Sequence, residues 1–288
     1  MSNEILERAR EKLKKMPQME LARAEALPHS LCPGCGIGTI LNTFIRAMHE
    51  LKEEGKLDPD KLVVISGIGC SGRISGFIKV DSMHTTHGRP IAFATGVKIA
   101  KPELNVWVFG GDADLFQIGL NHTLQAARRN IDLKVVMVNN FNIAMTGGVP
   151  TVTTPPGAIT KYSPKGWFER SFNIPKLMAS AGATYVARWT TAHVFQLKNT
   201  FKKMALRKGF SFLEVVSQCP VLFGRYNKFR DPYAMVEWFM RNSKVVKGEK
   251  YLDEASIEFG KPILVGEFVE YEAPEYVEKL YEAEGVRR

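Results

Sequence analysis

Short apolar runs alternate with amphipathic stretches along most of this chain of 288 residues. The apolar runs predict five buried strands, at residues 61–66, 105–112, 133–140, 184–189 and 210–216. Apolar residues that recur every three or four positions predict helices near residues 37–54, 90–100, 116–130, 175–182 and 191–207. Strands that are apolar on both faces and alternate with helices are typical of a parallel sheet covered on both sides. We therefore expect an α/β fold with a doubly wound parallel sheet, whose ligands bind at the carboxyl ends of the strands.

Three segments are expected along the chain. Residues 29–230 hold the alternating pattern and form the main domain. We interpret residues 1–28 as a charged amphipathic helix with a connector, and the acidic, aromatic segment 231–288 as a peripheral tail that contacts another subunit. Within the main domain, residues 141–173 are rich in Gly, Pro and Thr and have no obvious element, and connections of this length are usually functional.

Polar residues follow the second and third predicted strands. Gly110, Gly111 and Asp112 follow one strand, and Asn139 and Asn140 end the next. If these strands are neighbours, about 4.8 Å apart, the Asp carboxylate and an Asn amide oxygen converge on one point. Such oxygens suit Mg²⁺, which also takes a backbone carbonyl, water and substrate phosphates, and the following helix N-terminus favours the same phosphates. The alternatives are an ordinary helix-capping Asp and a dinucleotide site, although no G-x-G-x-x-G follows any strand.

The chain has four cysteines, Cys32, Cys35, Cys70 and Cys219. Cys32 and Cys35 form a C-x-x-C pair, and the other two each follow the end of a predicted strand, so all four can meet at the carboxyl edge of the sheet. Four thiolates suit either zinc or a 4Fe–4S cluster, and the Cys-Pro steps at both ends of the set also occur in iron–sulfur runs. Four thiols without a metal are the third interpretation. A disulfide framework is not expected in a reducing compartment.

The net charge of +9 favours a negatively charged partner. Nucleic acid is not expected as that partner, because the chain has no basic stripe with interleaved aromatics and no nucleic-acid-binding motif. The chain also lacks a run of about 18 apolar residues, so we expect no membrane span. Its charged start, MSNEILERAREKLKKM, lacks the apolar region of a secretory signal, which makes a cytoplasmic location the expectation.

Together these motifs resemble the β subunit of the 2-oxoacid:ferredoxin oxidoreductases, in the short-subunit branch that includes 2-oxoglutarate enzymes. The resemblance covers about His29 to Arg225 and rests on CPGCG, GIGCSGR, HTTHGRP, GDAD with IGLNH and AARRN, NN with MTGG, TTPPG, and CP with GR. A Gly-Asp-Gly at this distance before Asn-Asn is the thiamine diphosphate fingerprint, from which Ala113 departs by replacing the second Gly. The resemblance implies a thiamine diphosphate-binding fold of the diphosphate (PP) type.

The resemblance also implies the ligands and the chemistry. Asp112 and Asn140 would bind Mg²⁺ through their side chains and Asn142 through its backbone carbonyl, and the four cysteines would hold a 4Fe–4S cluster. Thiamine diphosphate would attack the carbonyl of a 2-oxoacid and stabilise the carbanion left after loss of CO₂. The cluster would relay two electrons, one at a time, toward ferredoxin, and coenzyme A would take the acyl group. The expected cofactor-binding residues are Gly69, Ser71, His84, Gly111, Asp112, Ala113, Asp114, Asn140, Asn142, Thr146 and Gly147.

Arg73 and His87 are the predicted catalytic residues. Arg73 could hold a substrate carboxylate or a phosphate, and its alternative is a surface Arg. His84 and His87, in HTTHGRP, could reach the cofactor or coenzyme A, and their alternative is a structural role. Val149 stands where the family often has Gln, which leaves contacts from that position open.

The expected partners follow from what the chain lacks. A thiamine cofactor needs a carboxylate beside its pyrimidine ring, and the family supplies it from the α subunit. We therefore predict that this chain is inactive alone and acts with an α subunit, and with γ and δ subunits where the enzyme has them. Ferredoxins are typically acidic and fit the basic surface, and 2-oxoglutarate is the favoured 2-oxoacid. The other functions considered are a non-oxidative thiamine diphosphate-dependent lyase or synthase and a non-catalytic, metal-stabilised scaffold.

Overall fold

The computed structural model of the protein describes residues 3–285, so residues 1–2 and 286–288 of the two expected terminal segments lie outside it. Within the described residues, eight strands form one sheet in the order β2-β1-β3-β4-β6-β5-β8-β7. The strands are β1 Leu62–Ser66, β2 Asp81–His84, β3 Asn105–Gly111, β4 Lys134–Asn139, β5 Tyr185–Thr190, β6 Ser211–Val216, β7 Ser243–Lys247 and β8 Ile263–Glu270. The helices are α1 Asn3–Lys14, α2 Gly36–Glu53, α3 Pro90–Ala100, α4 Leu120–Arg128, α5 Ile174–Ser180, α6 Val194–Leu206, α7 Pro232–Asn242 and α8 Tyr276–Ala283.

Short helical turns complete the chain between these elements. The turns are Pro17–Leu21, Ala24–Ala26, Pro59–Lys61, Ser71–Phe77, Asp114–Ile118, Pro220–Gly224 and Glu249–Tyr251. None of the helices in the described part of the chain is both long and apolar enough for a membrane crossing. The connection from β4 to α5 contains only isolated bridges, as the composition of residues 141–173 predicts.

The parallel sheet predicted from the apolar runs is confirmed for its central part. Strands β2, β1, β3, β4, β6 and β5 are parallel, and each of the five predicted runs contains one of them. The edge strand β2 was not predicted, because all four of its residues are exposed and leave no apolar signal.

The C-terminal segment differs from the expected peripheral tail. Residues 231–288 contribute α7, β7, β8 and α8, and β8 pairs antiparallel with β5. The sheet is therefore mixed rather than wholly parallel. Strand β8 alternates Gly and Glu with apolar residues, and this interrupted pattern hid a strand that the neighbouring β5 completes by pairing. A subunit contact through this segment stays a prediction.

Two apolar layers cover the sheet. On one face α2 and α6 pack over the strands, and the ring of Phe44 lies 4.9–5.4 Å from the rings of Trp107, Phe109 and Phe201 in edge-to-face contacts. On the other face α3, α4 and α5 enclose a second cluster that includes Val108. Burying both faces leaves the carboxyl edge of the sheet as the place where polar loops gather.

Candidate functional site

The candidate site lies at the carboxyl ends of four neighbouring strands, β1, β3, β4 and β6. The loops after these strands enclose two adjoining cavities. The inner cavity has a volume of about 120 Å³ and is lined by Asp112 and Asn140. The cysteine cavity has a volume of about 350 Å³. Residues that line both cavities form a common wall, which consists of Cys70, Asn140, Ala144 and Met145.

The inner cavity gathers most of the residues predicted to bind a cofactor. They come from the loops after β1, β3 and β4 and from HTTHGRP, which are far apart in sequence. The predicted residues that line it are Gly69, Ser71, His87, Gly111, Asp112, Ala113, Asp114, Asn140, Asn142 and Thr146.

The carboxylate of Asp112 is fully buried and held by three donors. Its Oδ1 accepts the backbone N–H of Ala113 at 2.9 Å. Its Oδ2 accepts the hydroxyls of Thr151 at 2.9 Å and Thr153 at 2.6 Å. Burial raises the pKa of Asp112 to about 6 despite these hydrogen bonds. The ionised group is therefore costly without a nearby cation, which is the electrostatic setting of a metal ligand.

Thr151 and Thr153 are functional candidates that the sequence prediction missed. They belong to TVTTPPG, whose hydroxyls have no periodicity and reach Asp112 only because the loop folds back over the end of β3. The hydroxyl of Thr154 donates to the carbonyl oxygen of Phe141 at 2.7 Å and fixes the same loop against the Asn pair. The signal that could have found them was the long Thr-rich connection itself.

The turn after β4 is strained and firmly held. Phe141 has a φ of 62°, a left-handed conformation that costs a non-Gly residue free energy. Its backbone N–H donates to Asn139 Oδ1 at 3.2 Å, and Asn139 Nδ2 donates to Glu214 Oε1 at 2.7 Å. Arg188 Nε donates to the other oxygen of this buried carboxylate at 2.7 Å. This buried chain of hydrogen bonds fixes the direction in which the Asn140–Asn142 turn faces.

Asn142 has a free acceptor inside the protein. Its Nδ2 donates to the carbonyl oxygen of Asn140 at 2.6 Å, while its buried Oδ1 has no hydrogen-bond partner. Buried polar atoms are almost always satisfied, so such an atom indicates a missing ligand or water. Together with the Asp112 carboxylate, the turn therefore offers several oxygens toward one point of the inner cavity.

Asp114 joins two loops of the inner cavity. Its Oδ1 accepts the backbone N–H groups of Ile68 and Gly88, at 3.2 and 2.8 Å, and lies 2.5 Å from Nδ1 of His87. Its Oδ2 is buried and unpartnered. A Cβ at Gly67 would lie 1.8 Å from that oxygen, so the loop after β1 needs Gly there. This carboxylate orients the imidazole of His87, which leaves Nε2 as the free ring nitrogen.

The four cysteines line the cysteine cavity together. Cys32 is exposed, Cys35 and Cys70 are half-buried and Cys219 is buried. Burial raises the pKa of Cys35 to about 12, and the neighbouring cysteines raise it further. Burial also raises the pKa of Cys70. Among the residues that the structure describes, no three of these sulfurs lie within 4.8 Å of one another.

A contact of Gly36 brings the first pair of cysteines to the last cysteine. The backbone N–H of Gly36, at the start of α2, donates to the carbonyl oxygen of Gln218 at 3.1 Å. A Cβ at Gly36 would lie 2.3 Å from Ser217 Oγ, so only Gly allows this approach. The C-x-x-C loop is thereby seated on the loop that carries Cys219.

Several predicted residues lie outside the inner cavity. Arg73 and Gly147 line the cysteine cavity instead, and the exposed Arg73 donates from Nη1 to Ser30 Oγ at 3.4 Å. The Nδ1 of His84 donates to the carbonyl oxygen of Gly72 at 3.0 Å, and His84 lines neither cavity. Val149 forms a bridge with Ile143 across the loop.

We expect Thr153→Val to weaken Mg²⁺ binding by about tenfold, because hydrogen bonds to a metal-ligating carboxylate orient it. The substitution keeps the β-branched shape and removes the shorter hydroxyl contact to Asp112. Mg²⁺ titration of the assembled enzyme in saturating thiamine diphosphate measures the change. Thr160→Val is the matched control, because Thr160 is also buried in this connection but makes its contacts to residues 162 and 163. Equal Mg²⁺ affinity in Thr153→Val and the wild type would contradict the prediction.

The fold and this oxygen-lined cavity define the chain as a thiamine diphosphate-dependent class of protein. Residues 67–215 match the family described as "Thiamine pyrophosphate enzyme, C-terminal TPP binding domain". This match spans β1 to β6 and therefore includes the whole inner cavity apart from α2.

Relatives give the finer class. The KorB subunit of 2-oxoglutarate synthase from Methanocaldococcus jannaschii is 47% identical over 265 residues, which span 92% of this chain and 96% of that subunit. A 2-oxoacid:ferredoxin oxidoreductase subunit beta from Saccharolobus solfataricus is 42% identical over 191 residues, 66% of this chain and 61% of that subunit. A solved structure of 2-oxoglutarate:ferredoxin oxidoreductase from Magnetococcus marinus with 2-oxoglutarate, coenzyme A and succinyl-CoA bound has a TM-score of 0.81 at 31% identity. It covers 96% of this chain and 93% of that chain. The chain belongs to the β subunits of the 2-oxoacid:ferredoxin oxidoreductases, which are multi-subunit enzymes.

Proposed function

We propose that this chain binds thiamine diphosphate through Mg²⁺, carries a 4Fe–4S cluster, and acts with an α subunit to oxidise 2-oxoglutarate to its acyl-CoA and CO₂. Ferredoxin is the proposed electron acceptor. The observation that carries the proposal is the common wall between the two cavities. Because Cys70 lines both, electrons released in the inner cavity have a short path to the sulfurs of the cysteine cavity.

The inner cavity suits Mg²⁺ and a diphosphate. Asp112 and Asn140 supply side-chain oxygens and Asn142 supplies its backbone carbonyl, a set of hard donors that Mg²⁺ prefers. The raised pKa of Asp112 and the unpartnered Oδ1 of Asn142 both favour a cation between them. Gly111 and Thr146 line the same cavity and leave room for phosphate oxygens. Thiamine diphosphate, when bound, supplies the electron sink for decarboxylation.

The sulfur positions favour a cluster over a single zinc. Tetrahedral zinc with Zn–S bonds of about 2.3 Å needs sulfurs about 3.8 Å apart. The four cysteines are spread more widely than that and surround a cavity of about 350 Å³. A cubic cluster has its four irons at separate corners, so its thiolates are held farther apart.

His87 is the proposed acid–base group for the substrate. Its Nδ1 is engaged by Asp114, and the residue lines the inner cavity, where its free Nε2 can hold or move a proton. Arg73 lies at the cysteine cavity, which removes it from direct contact with the reacting carbon and favours a role near the cluster. The choice of 2-oxoglutarate rests on the names of the relatives, since the M. jannaschii subunit belongs to a 2-oxoglutarate synthase and the solved structure holds 2-oxoglutarate and coenzyme A.

We expect this chain to show no 2-oxoacid-dependent reduction of viologen by itself and robust reduction when assembled with its α subunit. The carboxylates that line the inner cavity in the described residues are Asp112 and Asp114, and both are already engaged. Neither is therefore free to activate the pyrimidine ring. The measurement is viologen reduction with 2-oxoglutarate and coenzyme A, with and without the α subunit, together with the iron content. Turnover by the isolated chain, or an assembled enzyme with zinc and no iron, would overturn the proposal.

A further inference from the structure

We propose that the surface around Cys32 is the docking site for a diffusing acidic ferredoxin. This surface, named the exit face here, comprises Cys32, Arg73, Arg225, Lys228 and Arg230. The inference rests on the proposed function and adds the place where electrons leave the chain and the residues that receive the carrier.

Burial of the cysteines gives the direction of exit. Cys32 is the exposed one, whereas Cys35 and Cys70 are half-buried and Cys219 is buried. Cys70 lines the inner cavity as well, so it marks the entry side of the cysteine cavity. A path that enters beside Cys70 and leaves toward solvent therefore ends beside Cys32.

The chain itself builds a rim around this exit. After Cys219 it forms the turn Pro220–Gly224 and continues to Pro232, which starts α7. At that point it returns to the C-x-x-C loop, because a Cβ at Gly34 would lie 2.5 Å from the Pro232 ring. The rim segment thus begins at one cysteine and ends against the loop between Cys32 and Cys35.

The rim carries unneutralised positive charge. Arg225, Lys228 and Arg230 are exposed on it, and Arg73 is exposed on the other side of the cavity. Within the described chain, Arg230 makes one ion pair, to Asp231, and no ion pair involves the other three. That pair has an Arg side chain that is 85% exposed and therefore neutralises little. A basic collar of this kind steers an acidic partner and raises its association rate.

Apolar side chains complete the exit face as a contact surface. Val221 and Met145 both line the cysteine cavity and are 49% and 47% exposed. An apolar centre with a charged rim is typical of transient protein interfaces. Acidic ferredoxin is the occupant that fits both the positive rim and the position over the cysteines.

The test reverses the charge of the rim in the complete enzyme. In the triple variant Arg225→Glu, Lys228→Glu, Arg230→Glu, we expect the KM for a purified acidic two-cluster ferredoxin to rise by about tenfold or more, because steering charges are lost. Its dependence on NaCl should flatten. Viologen reduction and iron content should stay at wild-type values, since a small dye needs no docking surface.

The control applies the same charge change at the opposite edge of the sheet. Lys101, Arg128 and Arg129 are exposed at or just after the C-terminal ends of α3 and α4, which run back toward the amino ends of the parallel strands. Lys101→Glu, Arg128→Glu, Arg129→Glu should leave the KM for ferredoxin unchanged. The single variants Arg225→Gln and Lys228→Gln repeat the test with smaller changes, and each should raise the KM by about twofold or more.

Three outcomes would overturn the exit face. An unchanged KM in the rim variants excludes docking there, and an equal rise in the control triple shows a general charge effect. Loss of assembly with the other subunits in the rim triple identifies the surface as a subunit contact. Failure of the proposed function is a separate result, because the wild-type enzyme would then reduce neither viologen nor ferredoxin.

Discussion

Asp112→Asn is expected to lower kcat/KM of the assembled enzyme by about 1,000-fold, because a metal-held diphosphate contributes several kcal/mol. The substitution keeps the size of the side chain and removes the charge that faces Mg²⁺. The buried position leaves no water to take over the role of the carboxylate. Isothermal titration with Mg²⁺ and thiamine diphosphate should detect no binding, and steady-state viologen reduction should fall accordingly.

The same substitution has an opposite effect on the metal-free fold. Burial raises the pKa of Asp112 from 3.8 to about 6, so the folded state binds this proton more tightly than the unfolded state. The free energy of unfolding therefore falls as the pH rises from about 4 to about 6, by at most about 3 kcal/mol for this group. Asp112→Asn lacks this loss. The wild type minus variant difference should decline across that window without Mg²⁺ and recover when Mg²⁺ and thiamine diphosphate are added.

Asp253→Asn is the control for both measurements, because Asp253 is an exposed carboxylate paired with Lys176 on the surface. It should retain cofactor binding and show no corresponding pH dependence. Tight Mg²⁺-dependent binding of thiamine diphosphate by Asp112→Asn would show that the metal site has been assigned to the wrong carboxylate.

Cys32→Ser is expected to reduce the iron of the purified complex from about four atoms per chain to near zero, because a 4Fe–4S cluster needs its four thiolates. Reduction of ferredoxin should fall to background. Cys32 is exposed, so replacing its sulfur removes no buried packing. Surface changes of this kind shift stability by about 0.5 kcal/mol or less, and the cluster-free chain should melt within about 2 °C of the cluster-free wild type.

Two companion variants separate the cluster from the cavity. Ser30→Ala lines the same cavity and should retain its iron, because Ser30 is not a ligand in the proposed set. Cys219→Ser should lose iron and, because Cys219 is buried, also lose some stability. Full iron content in Cys32→Ser would require another ligand and would remove Cys32 from the proposed path of the electrons.

The central sheet could be predicted because its signal is local. Strands such as β4, which is buried along its whole length, need a continuous apolar run whatever their neighbours are. The same holds for Asp112 and Asn140, since residues that directly follow parallel strands must reach the same edge. Strands β7 and β8 could not be predicted in this way, because β8 is defined by pairing with β5 and carries Gly266 and Glu267 within it.

The amino-acid sequence by itself determined the family, the alternation of strands and helices, and the residues that end the strands, because each depends on composition over short distances. Tertiary structure alone decided which of those residues meet. Gly36 joins Gln218 across the chain, Thr153 folds back onto Asp112, and Asp114 turns to His87, although no periodicity links these positions. Such contacts arise from loop closure and burial at the sheet edge, where a hydroxyl or carboxylate must find a partner once water is excluded.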